Sequence, residues 1–160
     1  MKSLVLYDSQ FGNTEKIARA IGAALGETHE ATVAHMSDAS PADTAGLDLL
    51  VVGSPTQRFR PTPATSEFLK SLPPGALDGV RTAAFDTRLT AEEIEAVGVL
   101  AFFVRIFGYA AAPIDKALQK HGGQPACAAT GFYVQGMEGP LLGGELERAA
   151  AWARSLASQR

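Results

Sequence analysis

A short stretch near the start of the chain brings hydroxyl, amide and glycine groups together. Ser9 and Thr14 supply hydroxyls, Asn13 supplies an amide, and Gly12 lets the backbone approach a ligand closely. Because free backbone N–H groups at a helix start attract a phosphate dianion, these residues predict a phosphate-binding turn. The turn has no Lys or Arg and a single glycine, so it matches neither a nucleoside-triphosphate loop nor a dinucleotide fingerprint. An ordinary helix N-cap uses the same residues and remains the alternative.

The turn joins a predicted strand to a predicted helix. Residues 4–6 form a continuous apolar run, which is typical of a central parallel strand covered on both faces. From Asn13 onward the apolar residues take the spacing of a helix with one buried face. The inward residues predicted for this helix are Ile17, Ala20, Ile21, Ala24 and Leu25.

The order of residues in the turn resembles a known motif. Residues 9–14, Ser-Gln-Phe-Gly-Asn-Thr, resemble the FMN-phosphate loop of flavodoxins, which reads Thr/Ser-x-Thr-Gly-x-Thr near the N-terminus. This resemblance implies a doubly wound five-stranded sheet that holds FMN for one-electron transfer. Phe11 departs from the motif, since many members carry a hydroxyl there, so one phosphate hydrogen bond would be missing or made by the backbone. The cofactor residues implied here are Ser9, Gln10, Phe11, Gly12, Asn13 and Thr14.

A second candidate loop follows the predicted strand at residues 47–53. Because ligands of open parallel sheets bind outside the carboxyl ends of the strands, it would lie beside the first turn. Phe59 can cover a flat ring, although a surface loop with this side chain turned into the core is the alternative. The loop is similar to the Gly-Thr/Ser-Pro-Thr-Arg-Phe-Gly loop of flavodoxin-like NAD(P)H:quinone oxidoreductases, with Gln57 inserted and Arg60 replacing the glycine. Its predicted cofactor residues are Ser54, Pro55, Thr56, Gln57, Arg58 and Phe59.

A third candidate loop follows the predicted strand at residues 79–85. A flavodoxin has its second ring-clamping loop here, often Gly-Asp with a tyrosine nearby, and the resemblance implies that Asp86, Thr87 and Arg88 contact the cofactor. No aromatic lies within this loop, so we expect the flavin to be covered on one face only or by an aromatic from the next segment. The candidates are Phe102, Phe103 and Tyr109.

The second and third loops together carry a local positive charge. These loops contain three basic residues, Arg58, Arg60 and Arg88, and one acidic residue, Asp86. Electron-carrier flavodoxins, in contrast, are usually acidic around the flavin. We hypothesise that these arginines stabilise reduced, anionic flavin or receive an acidic substrate or the phosphate of NAD(P)H. Solvated surface arginines are the alternative.

Composition limits the classes of protein that fit. The chain has 160 residues, 46% hydrophobic, with 14 Lys and Arg against 17 Asp and Glu, a net charge of −3. These values predict one domain over residues 1–160 and argue against nucleic acid as a partner. The single Cys127, and a strand that begins directly after Met1 and Lys2, lead us to expect a cytoplasmic protein. Residues 97–112 are strongly apolar, but Arg105 interrupts them and they fall short of the roughly 20 residues of a membrane span.

The remaining patterns complete the predicted fold. They order the chain as an α/β three-layer α/β/α sandwich, and the flavodoxin resemblance implies a five-stranded parallel sheet of order 2-1-3-4-5. The uninterrupted last strand resembles the short-chain type. The apolar segment before it, divided at Pro113, is expected in the core, and an exposed part of it would instead mark an oligomer or partner surface. The predicted strands are an edge strand at 31–34 and the last strand at 126–134. The predicted helices lie at 65–72, from 91 onward and at 145–156. The second of these helices begins with a Thr90–Glu93 capping box, and the third has Leu146 facing inward.

These features predict an FMN-binding, flavodoxin-like electron-transfer protein that works with a redox partner. The alternative is an FMN-dependent NAD(P)H:quinone oxidoreductase, which takes NAD(P)H and quinone directly. A receiver domain shares the topology but needs an aspartate and a lysine at strand ends where this chain has Gly53 and Gln135. A flavodoxin fold without flavin also stays open because of Phe11. His29, His35 and His121 are scattered, so no metal site is predicted.

Overall fold

The computed structural model describes residues 1–159. All strands belong to one parallel sheet of order β2-β1-β3-β4-β5, with β6 also paired to β4. The predicted order 2-1-3-4-5 is therefore confirmed, with two segments sharing the fifth position. The strands are β1 Lys2–Tyr7, β2 Glu30–His35, β3 Leu49–Pro55, β4 Arg81–Leu89, β5 Gln124–Pro125 and β6 Thr130–Val134. The helices are α1 Asn13–Leu25, α2 Pro63–Ser71, α3 Ala91–Glu95, α4 Gly98–Phe107, α5 Ala111–Lys120 and α6 Glu145–Ser158.

Two apolar layers cover the faces of the sheet. Alternation along β1 places Val5 in one layer and Leu4 and Leu6 in the other. The first layer is completed by α1 and α6, and the second by α2 and α5. Each fully buried Leu, Ile or Phe contributes about 1.5–3 kcal/mol, so these layers hold the carboxyl edge of the sheet in place. This arrangement confirms the three-layer sandwich.

The end of β4 differs from the prediction. Residues 85–89 pair with β6, from Phe85 opposite Thr130 to Leu89 opposite Val134. The strand therefore continues through Asp86, and the three residues expected in a loop are strand residues. The capping box that follows is confirmed, since the Glu93 N–H donates to Thr90 Oγ1 at 3.2 Å. Of the predicted strand at 126–134, only Thr130–Val134 forms a strand, β6, and the short β5 lies before the predicted range.

The long apolar segment also differs from the prediction. It breaks at Gly108, with φ 71°, and not at Pro113, which lies in the first turn of α5, where its missing N–H removes no helical hydrogen bond. The expectation of a core segment was wrong for α4, which has no buried residue, whereas α5 buries Ile114 and Leu118. Leu146 was expected inward but is 42% exposed. Residues 98–120 are long and apolar enough to cross a membrane, by length and composition alone. The structure divides them into two separate helices, α4 and α5.

Candidate functional site

The three predicted segments meet at the carboxyl ends of β1, β3 and β4, around a cavity of about 720 Å³. We call it the site cavity. The predicted residues that line it are Gln10, Phe11, Asn13, Thr14, Pro55, Thr56, Gln57, Arg58, Phe59, Thr87 and Arg88. The other four, Ser9, Gly12, Ser54 and Asp86, do not line it. The sequence analysis missed an apolar part of the lining, contributed by Leu89, Ile94, Leu100, Val104, Val134 and Met137.

The first turn presents unpaired backbone donors at the start of α1. Gly12 takes a left-handed conformation, φ 88°, and the Ser9 hydroxyl closes the turn by accepting the Gly12 N–H at 3.1 Å and the Glu15 N–H at 3.4 Å. Among residues 1–159, no acceptor meets the N–H groups of Gln10, Phe11, Asn13 and Thr14. Four donors and the positive end of the helix dipole therefore lie together, which suits a phosphate.

Two side chains of this turn already have protein partners. Asn13 Nδ2 donates to the Glu138 carbonyl at 2.9 Å, which ties the turn to the segment after β6. Thr14 Oγ1 lies 2.8 Å from Thr87 Oγ1, which ties the turn to β4. The sequence analysis assigned the Asn13 amide and the Thr14 hydroxyl to phosphate and missed these partners, because no local pattern connects residues so far apart in the chain.

The second loop carries a tight turn. The Gln57 N–H donates to the Arg60 carbonyl at 2.8 Å, and the Arg60 N–H returns to Gln57 at 2.9 Å. Arg58 and Phe59 have φ of 48° and 69°, as a type I′ turn requires, although glycine is the usual residue there. Phe59 is half-buried and faces α4, with its ring centroid 5.9 Å from that of Phe103. It is therefore not turned into the core.

The end of β4 holds a buried ion pair. Asp86 is fully buried, and its carboxylate accepts from Arg88 Nε at 2.6 Å, from Arg88 Nη2 at 2.7 Å and from the Ala111 N–H at 2.9 Å. Burial raises the pKa of Asp86, while the Arg88 guanidinium and the Ala111 N–H favour the ionised carboxylate. Asp86 therefore fixes Arg88 and the start of α5, and does not itself face the site cavity.

Hydrogen bonds connect the three segments before any ligand arrives. The Thr56 N–H donates to the Thr87 carbonyl at 3.1 Å, and the Thr56 hydroxyl accepts the Ala110 N–H at 3.1 Å. The amide side chain of Gln57 donates to that of Gln10. Together with the hydroxyl contact between the first turn and β4, these bonds hold the site cavity open in one geometry.

A family model described as the flavodoxin domain matches residues 4–94, more than half of the chain and all three segments. The chain belongs to the flavodoxin domain family. Membership implies a flavin cofactor and a role in electron transport. A comparison with curated proteins finds no match.

Solved flavodoxins share the fold along the whole chain. Oxidised flavodoxin 1 from Bacillus cereus matches with a TM-score of 0.80 at 17% identity, covering 100% of this chain and 99% of that one. Oxidised flavodoxin 2 from Bacillus cereus gives 0.76 at 22% identity, with 98% of each chain covered. A short-chain flavodoxin associated with a non-canonical PDU bacterial microcompartment gives 0.70 at 19% identity, with 99% of each covered. Identities this low establish the fold alone.

An aromatic side chain near the third segment comes from the stretch between α4 and α5. Tyr109 lines the site cavity, and the Arg88 guanidinium lies 3.7 Å above its ring. Of the three aromatics considered from sequence, within residues 1–159 Tyr109 alone contributes to this lining. Burial raises the pKa of its phenol, so the ring stays neutral at physiological pH. Phe102 is 58% exposed, and Phe103 packs on Phe59.

The positive charge around the site cavity is divided between two environments. Asp86 neutralises Arg88, whose side chain is 17% exposed. Arg58 and Arg60 are exposed, and neither forms an ion pair with a residue of the described chain. The interpretation of all three as surface arginines is therefore wrong for Arg88, and two free cations remain beside the cavity.

Proposed function

We propose that the protein binds FMN in the site cavity and acts as a flavodoxin-like electron carrier in the cytoplasm. The observation that carries this proposal is the group of four unpaired N–H donors at the start of α1, next to a cavity lined by Phe59 and Tyr109. A phosphate and a flat aromatic ring need these two kinds of surface, so the residues present fit FMN. The bound flavin supplies the electron-accepting chemistry.

The chain's own groups bind and orient the cofactor in this proposal. The N–H groups of residues 10, 11, 13 and 14 hold the phosphate, and Gly12 keeps that space clear, since a Cβ added there would meet no protein atom within 4 Å. Phe59 and Tyr109 cover the ring, and Thr56 offers a polar contact to its edge. Water is excluded by the apolar lining from α4. Because hydrogen bonds already connect the segments, little ordering is needed on binding.

The exposed Arg58 and Arg60 favour a redox partner that presents acidic groups. Charges of opposite sign raise the rate of encounter and depend on ionic strength. Among small molecules, the phosphate of NAD(P)H has the same complementarity. We propose the protein partner as the physiological one, in keeping with a carrier.

A pair of glycine variants tests FMN binding. Gly12→Ala and Gly46→Ala both place a side chain at a positive φ, 88° and 71°, and neither added Cβ meets an atom within 4 Å. We expect each variant to lose about 1–2 kcal/mol of stability. We expect only Gly12→Ala to weaken FMN binding, by at least about tenfold, which corresponds to 1.4 kcal/mol. Fluorescence titration of FMN measures the affinity; a wild type that retains no FMN, or equal affinities for the two variants, would refute the proposal.

The similarity of residues 53–59 to quinone oxidoreductases supports a second candidate, the FMN-dependent NAD(P)H:quinone oxidoreductase. The two functions differ in their response to NADPH. Under anaerobic conditions, an FMN-loaded carrier should keep its yellow absorbance after NADPH is added, because it needs a reductase. Direct bleaching would instead identify the enzyme.

A further inference from the structure

Helix α4 exposes an apolar face. None of its ten residues is buried, although Arg105 is the only charged residue among them. Val99, Phe102 and Ile106 are 67%, 58% and 56% exposed. Because residues three and four apart lie side by side on a helix, these three side chains form one continuous patch. We call it the α4 patch.

Four other apolar residues of α4 contact the site cavity or Phe59. Leu100 and Val104 line the site cavity. Phe103 and Phe107 pack on Phe59, with ring centroids 5.9 and 6.0 Å away. These contacts anchor α4, and the α4 patch faces solvent.

Cations lie on α4 and in a groove beside it. Arg105 projects from the helix itself, and a groove of about 510 Å³ beside it is lined by Phe59 and Phe107 together with Arg60, Lys70 and Lys120. No carboxylate lines this groove, and within residues 1–159 none of these four cations forms an ion pair. Helix α3, which contacts α4, carries Glu92, Glu93 and Glu95, so the positive charge lies at Arg105 and along the groove and not all around the patch.

We propose that the α4 patch docks on an anionic lipid bilayer. The apolar side chains enter the boundary between headgroups and acyl chains, and the adjacent Arg and Lys side chains contact the phosphates. This combination of an apolar helix face and basic neighbours is what interfacial binding requires. Ten residues of helix rise about 15 Å, half the hydrocarbon thickness of about 30 Å, so α4 lies on the membrane and does not cross it.

Charge argues against a second copy of the chain as the occupant. Two copies that paired through the α4 patch would bring their Arg105 side chains and the cations of the groove towards each other. Phosphate headgroups meet those cations with opposite charge.

Co-sedimentation of the full-length protein with vesicles tests the proposal. We expect binding to vesicles of phosphatidylcholine mixed with phosphatidylglycerol, weaker binding to phosphatidylcholine alone, and release as salt rises. The double variant Phe102→Ser/Ile106→Ser should lower the partition coefficient at least about tenfold, because it removes two apolar anchors. Arg105→Glu should lower it too. Leu146→Ser, at an apolar residue 42% exposed on α6, is the matched control and should bind like wild type.

Two further measurements keep the outcomes distinct. Circular dichroism and FMN affinity should be the same in the wild type and the double variant, because neither substituted residue lines the site cavity; the docking test thus does not depend on the proposed function. Sedimentation velocity detects a second copy as occupant. A wild-type dimer that the double substitution dissociates, absence of vesicle binding, or equal binding by the double variant would each overturn the proposal. Absence of both vesicle binding and dimers would point to a protein partner instead.

Discussion

On one wall of the site cavity, Arg88 is paired with the buried Asp86 and lies over Tyr109. On the other, Arg58 and Arg60 stand in solvent on a turn whose central residues have positive φ. We call these the paired wall and the exposed wall. The same residue type thus stabilises the fold on one side and leaves its charge available to a ligand or partner on the other.

The difference shows that burial, and not residue type, decides what an arginine does at a binding site. A buried guanidinium must have its charge and its donors satisfied, so the paired wall is costly to alter. An exposed guanidinium contributes little to stability, but it attracts or repels any charged ligand or partner protein that approaches. We expect substitutions on the paired wall to change the free energy of unfolding, and substitutions on the exposed wall to change rates of encounter.

The largest effect should follow Asp86→Asn. The substitution keeps the shape of the side chain but leaves the Arg88 guanidinium without its counterion. We expect the free energy of unfolding to fall by about 3–5 kcal/mol, measured by urea denaturation. Adding Arg88→Met should recover most of the loss, because both charges are then removed. If single and double variants are equally unstable, the ion pair does not hold this wall together.

A smaller loss is expected from Gly131→Ala. The Arg88 side chain lies against Gly131, and an added Cβ would be 2.1 Å from Arg88 Nε. The methyl group must displace the guanidinium from Asp86, which should cost about 1–3 kcal/mol. Gly143→Ala adds the same methyl group where no atom lies within 4 Å and should be close to neutral in thermal unfolding. Equal melting temperatures for the two variants would contradict the paired wall.

On the exposed wall, Arg58→Gly should stabilise the protein. Glycine adopts the observed φ of 48° without the cost of about 1–2 kcal/mol that other residues incur, although its greater freedom in the unfolded chain offsets part of the gain. We expect a net increase of about 0.5–1 kcal/mol in chemical denaturation. Arg60→Gly lacks a positive φ to relieve, so it should be neutral or destabilising; a gain there as large as at position 58 would exclude backbone strain as the cause.

The smallest effect concerns charge alone. Arg58→Gln removes one exposed cation next to the site cavity without touching the paired wall. The rate of electron transfer between the FMN-loaded protein and an acidic redox protein should fall about threefold at low ionic strength, less than 1 kcal/mol. Stopped-flow absorbance over a range of salt concentrations measures it, and the difference should vanish at high salt. A rate that is unchanged at every salt concentration would mean that the exposed wall does not face the partner.

Local patterns predicted the parts of the fold that depend on neighbours in sequence. The apolar run in β1, the change of period at Asn13 and the Thr90–Glu93 capping box each lie within a few residues, and each is confirmed. Strand order followed from the family resemblance and is also confirmed. The assignment of individual residues to the cofactor stays a prediction, although the structure brings most of them to one cavity.

Long-range contacts account for the features of the fold and the site that local sequence patterns did not predict. Asp86 looked like a loop residue because its strand continues through pairing with Ser54 of β3 and Gly131 of β6, both more than thirty residues away in the chain. Tyr109 reaches the site cavity because Asp86 accepts the Ala111 N–H and so places the start of α5. The exposure of α4 could not be read from its composition, since an apolar helix is buried only if another element covers it.

The contact between Thr14 and Thr87 has one further consequence. A pair of hydroxyls shares one hydrogen between two oxygens, so whichever threonine donates, the other keeps a hydrogen of its own. Both side chains line the site cavity. A ligand that accepts the hydrogen of Thr14 leaves Thr87 as the donor within the pair, and a ligand at Thr87 reverses the direction. Both hydroxyls rotate when the direction changes, so the orientation of the Thr87 hydroxyl on β4 follows what is bound at the start of α1, without the displacement of any heavy atom.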